Sequence, residues 1–114
     1  MSYDVHQEKD YSNDGRSVYD AALKAVEKLG GKLLSSSPDD LRLEVKFDKT
    51  ILGQVLGDRT QLACVVQANG EGSKVVIDAY PLDAVGRKLM FGGRKGVTQT
   101  VITWFIAHLE NNLK

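Results

Sequence analysis

This chain has little of what marks a specialised protein. Its one cysteine, Cys64, has no partner for an internal disulfide and cannot make a metal site alone, which agrees with a reducing compartment. Two prolines and eleven glycines, with no repeat period, exclude a collagenous or low-complexity chain. No charge sign dominates: fifteen basic residues balance fifteen acidic ones, which argues against the non-specific pull of a basic domain on nucleic acid or anionic lipid. No apolar run approaches the ~18 residues that span a bilayer. The start, Met1-Ser2-Tyr3-Asp4, lacks a basic patch followed by an apolar stretch, so the expected location is cytoplasmic, with no membrane association.

What is present is the composition of one globular domain over residues 1–114, with 42% hydrophobic and 26% charged residues. A domain of this length buries roughly two-thirds of its extended surface, enough for a core without disulfide or metal staples. Residues 3–11 alternate weakly, with Tyr3, Val5, Gln7 and Lys9 on one parity and Asp4, His6, Glu8 and Asp10 on the other. The turn Ser12-Asn13-Asp14-Gly15 follows, with Asp14 or Ser17 placed to cap a helix. Val18, Ala21, Ala22, Ala25, Val26 and Leu29 then fall on one helical stripe, and its three alanines predict close approach to a sheet. Gly30-Gly31 ends the helix.

A short strand over 32–36 leads to the turn Ser37-Pro38-Asp39-Asp40. Leu41, Leu43, Val45 and Phe47 alternate with Arg42, Glu44, Lys46 and Asp48, the pattern of a strand with one dry and one wet face. Leu62, Cys64, Val66 and Ala68 pass through the four-residue loop Asn69-Gly70-Glu71-Gly72 into Val75, Ile77 and Ala79, a hairpin that Pro81 stops or places at an edge. A last helix runs from about Val97 to Leu113 and is apolar over so broad a surface, Trp104 and Phe105 included, that most of it must be covered.

The expected fold is α+β, in the order β-α-β-β-β-β-α. About five mostly antiparallel strands form a curved sheet with both helices on one face. This order resembles the small TBP-like and helix-grip domains, in which a sheet wraps around the final helix. The resemblance rests on element order over nearly the whole chain, and no residue motif supports it. It implies a fold, and for a helix-grip domain an apolar ligand between sheet and long helix. A TBP-like sheet binds DNA through a basic concave face, but the exposed parity Arg42, Glu44, Lys46 and Asp48 mixes both signs, so no nucleic acid is expected.

Two candidate sites stand out. Phe91-Gly92-Gly93-Arg94-Lys95-Gly96 precedes the last helix, and free backbone N–H groups beside two cations suit a phosphate or carboxylate. Arg87, Lys88, Arg94 and Lys95 are the only charged residues between Ala84 and His108, so the local field is positive. No lysine and hydroxyl pair follows the last glycine, which excludes a phosphate-binding loop of the nucleotide-hydrolase kind. The second candidate is a cavity between sheet and last helix, lined by Phe47, Val66, Trp104 and Phe105 with His108 as its inward polar group.

The remaining features have plainer readings. Asp10 to Gly15 opens like a calcium loop, but Ala21 stands where the bidentate glutamate belongs, so a polar turn and cap explains it and no metal is expected. Residues 51–57 carry Ile51, Leu52, Val55 and Leu56 between strands, as a mobile flap, a partner-binding edge or a buried connection. Cys64 is expected to be an inert core thiol. His6 and His108 stand far apart with no second ligand at helical spacing.

No catalytic motif is present and no cofactor is implied. The expected function is a small non-catalytic binding module for a protein partner, a second copy of itself, or an anionic or amphipathic ligand near the start of the last helix. The alternative is a ligand carrier or enzyme with an interior pocket.

Overall fold

The computed structural model of the chain describes residues 3–90 and 96–114. Among these residues, seven strands and two helices follow in the order β1 (Val5–Tyr11), α1 (Gly15–Lys28), β2 (Lys32–Ser37), β3 (Arg42–Phe47), β4 (Thr50–Ile51), β5 (Gln54–Val55), β6 (Arg59–Asn69), β7 (Gly72–Leu82) and α2 (Val97–Asn112). Five strands form one antiparallel sheet ordered β1-β7-β6-β3-β2, while β4 and β5 make a separate two-stranded hairpin.

Helix α1 forms where its stripe predicts. Asp14 caps it, its two carboxylate oxygens accepting from the Ser17 backbone N–H at 3.2 Å and from the Ser17 hydroxyl at 2.6 Å. The helix ends at Gly30, whose φ of 72° is a conformation a side chain would strain. All six stripe residues are buried, and Tyr19 joins them with its hydroxyl donating to the Arg42 carbonyl at 3.1 Å.

Register explains the core. Leu43 pairs with Cys64 and Cys64 with Ile77; Val45 pairs with Leu62 and Leu62 with Ala79. Each row therefore crosses the sheet on its inner face, and both helices cover these rows in one buried cluster. Phe47 and Phe105 meet there with ring centroids 6.5 Å apart and planes tilted by 60°, worth about 1 kcal/mol beyond their buried area. The outer face mixes signs as its sequence predicts: Arg42, Glu44 and Lys46 on β3 lie across from Gln61, Ala63 and Val65 on β6.

Three details differ from the sequence reading. The β6–β7 turn has two residues rather than four, because Asn69 and Gly72 are themselves paired. Gly72 is required there, since a Cβ would lie 2.3 Å from the Tyr11 carbonyl oxygen. Pro81 does not stop β7, which runs to Leu82, and the edge reading of it holds instead: β1 reaches only as far as Ala79, so the missing N–H deprives no neighbouring strand. Finally, Trp104 is only partly buried against the core, whereas Phe105 is buried completely. No helix among the described residues is long and apolar enough to cross a membrane.

Candidate functional site

The end of the sheet where β7 leaves for α2 is built differently from the rest. Its first part is the β4–β5 hairpin, which connects two strands whose ends, Phe47 and Thr60, are sheet partners. Two residues, Leu52 and Gly53, turn it with φ of 50° and 81°. Such a turn favours asparagine or glycine, and a leucine there costs roughly 1 kcal/mol. Leu52 is nevertheless 61% exposed and Val55 72% exposed. Ile51 alone of these residues turns fully inward, and the Lys49 carbonyl holds the base by accepting from the Leu56 and Gly57 N–H groups at 2.7 and 3.3 Å. Residues 51–57 thus combine one buried anchor with an exposed apolar tip.

The second part is the turn after β7. One carboxylate oxygen of Asp83 accepts from the Val85 and Arg87 N–H groups at 3.0 and 2.9 Å, and the Asp83 N–H donates to the Arg87 carbonyl at 2.7 Å. Leu82 and Lys88 form a bridge, and the Leu89 N–H donates to the Pro81 carbonyl at 2.8 Å. This wiring presents Val85, 76% exposed, with Met90 and Arg87 also exposed beside it.

The bases of the two loops meet in a depression of about 250 Å³, lined among others by Lys49, Gly57, Arg59, Leu82 and Leu89. A second depression of about 150 Å³ lies between Val5, Pro81 and the start of α2 at Gly96, Thr98 and Gln99. Arg59 and Leu82, which border the larger depression, are sheet partners, and so are Thr60 and Pro81 in the next pair, of which Pro81 borders the smaller. Thr60 is fully buried, and its hydroxyl is the one buried side-chain polar atom without a hydrogen-bond partner among the described residues. Gly96 precedes helix α2 with a φ of 84° and gives it no side-chain cap.

Of the anion-site residues inferred from sequence, Gly92, Gly93, Arg94 and Lys95, with Phe91, lie outside the described residues. Arg87 and Gly96 belong to the rim. Lys88 is committed elsewhere: its ammonium donates to Asp4 at 2.5 Å and lies 5.2 Å from the centroid of the Tyr80 ring. The pocket-lining set is divided. Phe47, Val66 and Phe105 share the buried cluster and Trp104 packs against it. His108 instead faces an open cleft of about 580 Å³ beside Lys24, Lys28 and Asn111, between the two helices.

Cys64 is buried, and burial pushes its thiol up to about 12, the behaviour of an inert core group. His6 is exposed on the outer face, its ring nitrogens 2.6 Å from Asp78 and 2.8 Å from Glu8. No cluster of three metal-ligating side chains occurs among the described residues. Sequence reasoning missed Thr60, although the inward parity of Leu62, Cys64 and Val66 extends back to it and marks it as the polar member of an apolar row.

No known family model matches the chain, and no curated protein does at a significant level. Solved structures do match. Ara h 8.0201 aligns over 99% of both chains with a TM-score of 0.65 and 9% identity. DynU16 from the dynemicin biosynthetic locus aligns over 99% of this chain and 48% of its own, with a TM-score of 0.60 and 16% identity. The di-domain ARO/CYC BexL from the BE-7585A biosynthetic pathway aligns over 96% of this chain and 46% of its own, with a TM-score of 0.59 and 9% identity. The chain therefore spans about half the length of the latter two. The fold is the helix-grip, Bet v1-like α+β arrangement, and at these identities the likeness concerns the fold alone.

Proposed function

We propose that this chain is a non-catalytic binding module that takes a small amphipathic anion at the rim made by the β4–β5 hairpin, the turn after β7 and the start of α2. One observation carries this reading. Of the six strongly exposed large hydrophobic residues among those described, four, Leu52, Val55, Val85 and Met90, stand on two loops whose bases share one depression. Scattered apolar residues need no explanation, but a set gathered on adjoining loop tips marks a surface that something covers.

The charge there suits an anion. Lys49 and Arg59 line the depression, Arg87 projects from the turn, and the sequence adds Arg94 and Lys95 just before α2. Asp58 and Asp83 balance Lys49 and Arg59 within the depression itself, so the positive excess of the rim comes from Arg87 on the turn and from Arg94 and Lys95 in the sequence. Amide chemical shifts recorded with decanoate, decanol and inorganic phosphate test the reading. Decanoate should move the Gly57, Val85, Arg87 and Gly96 signals more than either comparison compound, and a spectrum unmoved by decanoate would sink it.

A second reading, self-association, has its own observation. Edge strand β2 ends the sheet with Leu33 and Leu34 exposed and only Lys32 charged, whereas the opposite edge, β1, carries His6, Glu8, Lys9 and Asp10. An edge without charge invites pairing with another strand. Light scattering across a concentration series checks it, with a strict monomer at the highest concentration counting against it.

A further inference from the structure

Strand β2 ends the sheet, so one row of its backbone donors and acceptors has no strand beside it. Lys32 to Ser36 are all exposed, and after Lys32 no charge follows through Leu33, Leu34, Ser35, Ser36 and Ser37. The two strongly exposed large hydrophobic residues that lie away from the rim, Leu33 and Leu34, both stand here. Inner and outer faces alternate along the strand. Leu33 and Ser36 pair with the buried Val45 and Leu43, whereas Lys32 and Ser37 pair with Lys46 and Arg42 on the outer face.

Charge along this edge complements its own image. Lys32 stands across from Lys46, a like-charged pair that costs stability. Asp39 and Asp40 follow the far end of β2, in the turn to β3, with Arg42 one strand behind the edge. Asp40 already accepts from the Ser37 hydroxyl at 3.0 Å, which makes Asp39 the carboxylate for an incoming ammonium. A twofold axis perpendicular to the sheet would lay one β2 end for end against another, so that each basic start meets the other's acidic end. Pairing Lys32 with the partner's Ser37 uses all six residues and sets Leu33 across from the partner's Ser36, inner face to inner face. Lys32 then lies diagonally within reach of the partner's Asp39, and the leucines of both copies gather about the axis.

We propose that β2 is the interface of a homodimer in which two copies pair antiparallel along this strand, joining their five-stranded sheets into one. The opposite edge ends the growth there, because β1 carries His6, Glu8, Lys9 and Asp10 and bounds the joined sheet on both sides. This proposal rests on the self-association reading above and adds the pairing direction, the register and the stop at two copies.

Light scattering and sedimentation across a concentration series compare the wild type with Leu34→Lys, Lys32→Glu and Asp39→Lys, all at exposed positions, and unfolding curves confirm that each variant folds. The wild type should reach a dimer and go no further. Leu34→Lys, which brings two ammonium groups beside the axis, should weaken the dimer at least about tenfold. Lys32→Glu and Asp39→Lys should each weaken it about fivefold, and an equal mixture of the two should recover the wild-type affinity, because the mixed dimer regains both oppositely charged pairs. A dimer unaffected by Leu34→Lys overturns the β2 interface and leaves self-association standing on another surface. A dimer that Leu34→Lys weakens, but whose charge variants associate no better mixed than alone, overturns the antiparallel pairing. Species larger than a dimer overturn the stop at two, and a strict monomer at the highest concentration overturns both readings.

Discussion

The two ends of the sheet are made from the same strands and differ in how completely they are closed. At the β6–β7 turn, the Ser73 hydroxyl donates to the Asn13 carbonyl at 3.0 Å, and the Tyr11 hydroxyl donates to Glu110 on α2 at 2.9 Å. Lys9 pairs with the same Glu110 carboxylate. Burial and the neighbouring carboxylate hold the Tyr11 phenol well above its usual range, so it remains a donor at any ordinary pH. At the opposite end lie two depressions, four exposed apolar side chains and an unpartnered threonine. Stabilising contacts concentrate where the first helix starts and the last one finishes, which leaves the other end able to change without unfolding the sheet.

Breaking the closed end should have the largest effect. Gly72→Ala would drive a Cβ against the Tyr11 carbonyl, a backbone atom that cannot rotate away. A loss of about 3 kcal/mol is expected, read from the denaturation midpoint. Tyr11→Phe removes a single bond and leaves Glu110 with Lys9, so the loss should be about 1 kcal/mol. The paired change Leu52→Ser with Val55→Ser, at exposed positions of the open end, should alter stability by no more than about 0.5 kcal/mol. It should also weaken decanoate about tenfold, because the apolar contacts at the rim disappear. Equal losses of stability at the two ends would erase the contrast.

How much of this was visible beforehand follows from the range of the forces involved. The α1 stripe and the Leu43, Val45 and Phe47 alternation translate directly into buried faces, whereas Leu41, expected to begin that strand, precedes β3 with a φ of 54° and is only partly buried. The hairpin β4–β5 has strands of two residues, too short for any period to register, and it emerged only as a set of aliphatic residues in a connection. In β2 the pairing shifts between Leu33 and Ser35, which breaks the alternation that sequence reasoning depends on. The rim was half legible. Arg87 and Lys88 read as adjacent cations, but Lys88 finds Asp4 from 84 residues away, a pairing that no local pattern reveals. The orphaned state of Thr60 likewise depends on which groups the folded chain brings past it.

The smallest effect lies on the outer face near the open end, and it sharpens the contrast through pH. His6 hydrogen-bonds first to Glu8 and then to Asp78, and both carboxylates raise its pKa above the ordinary 6.5. The same contact lowers Glu8 below its ordinary 4.5. For a raised histidine, the stabilising contribution is complete below the unfolded value and fades as pH climbs through the folded one. For a lowered glutamate, it is complete above the unfolded value and fades as pH falls through the folded one. The clasp between β1 and β7 is therefore fullest from about 4.5 to 6.5 and weakens on either side. Because the groups are exposed, salt should suppress the effect. An NMR titration should place His6 above the ordinary value, and Asp78→Asn should lower it only part of the way, since Glu8, the larger cause, remains. A histidine that titrates normally in the wild type would mean that the β1 edge near the rim is held by its backbone pairing with β7 alone, with no contribution from this ionic clasp.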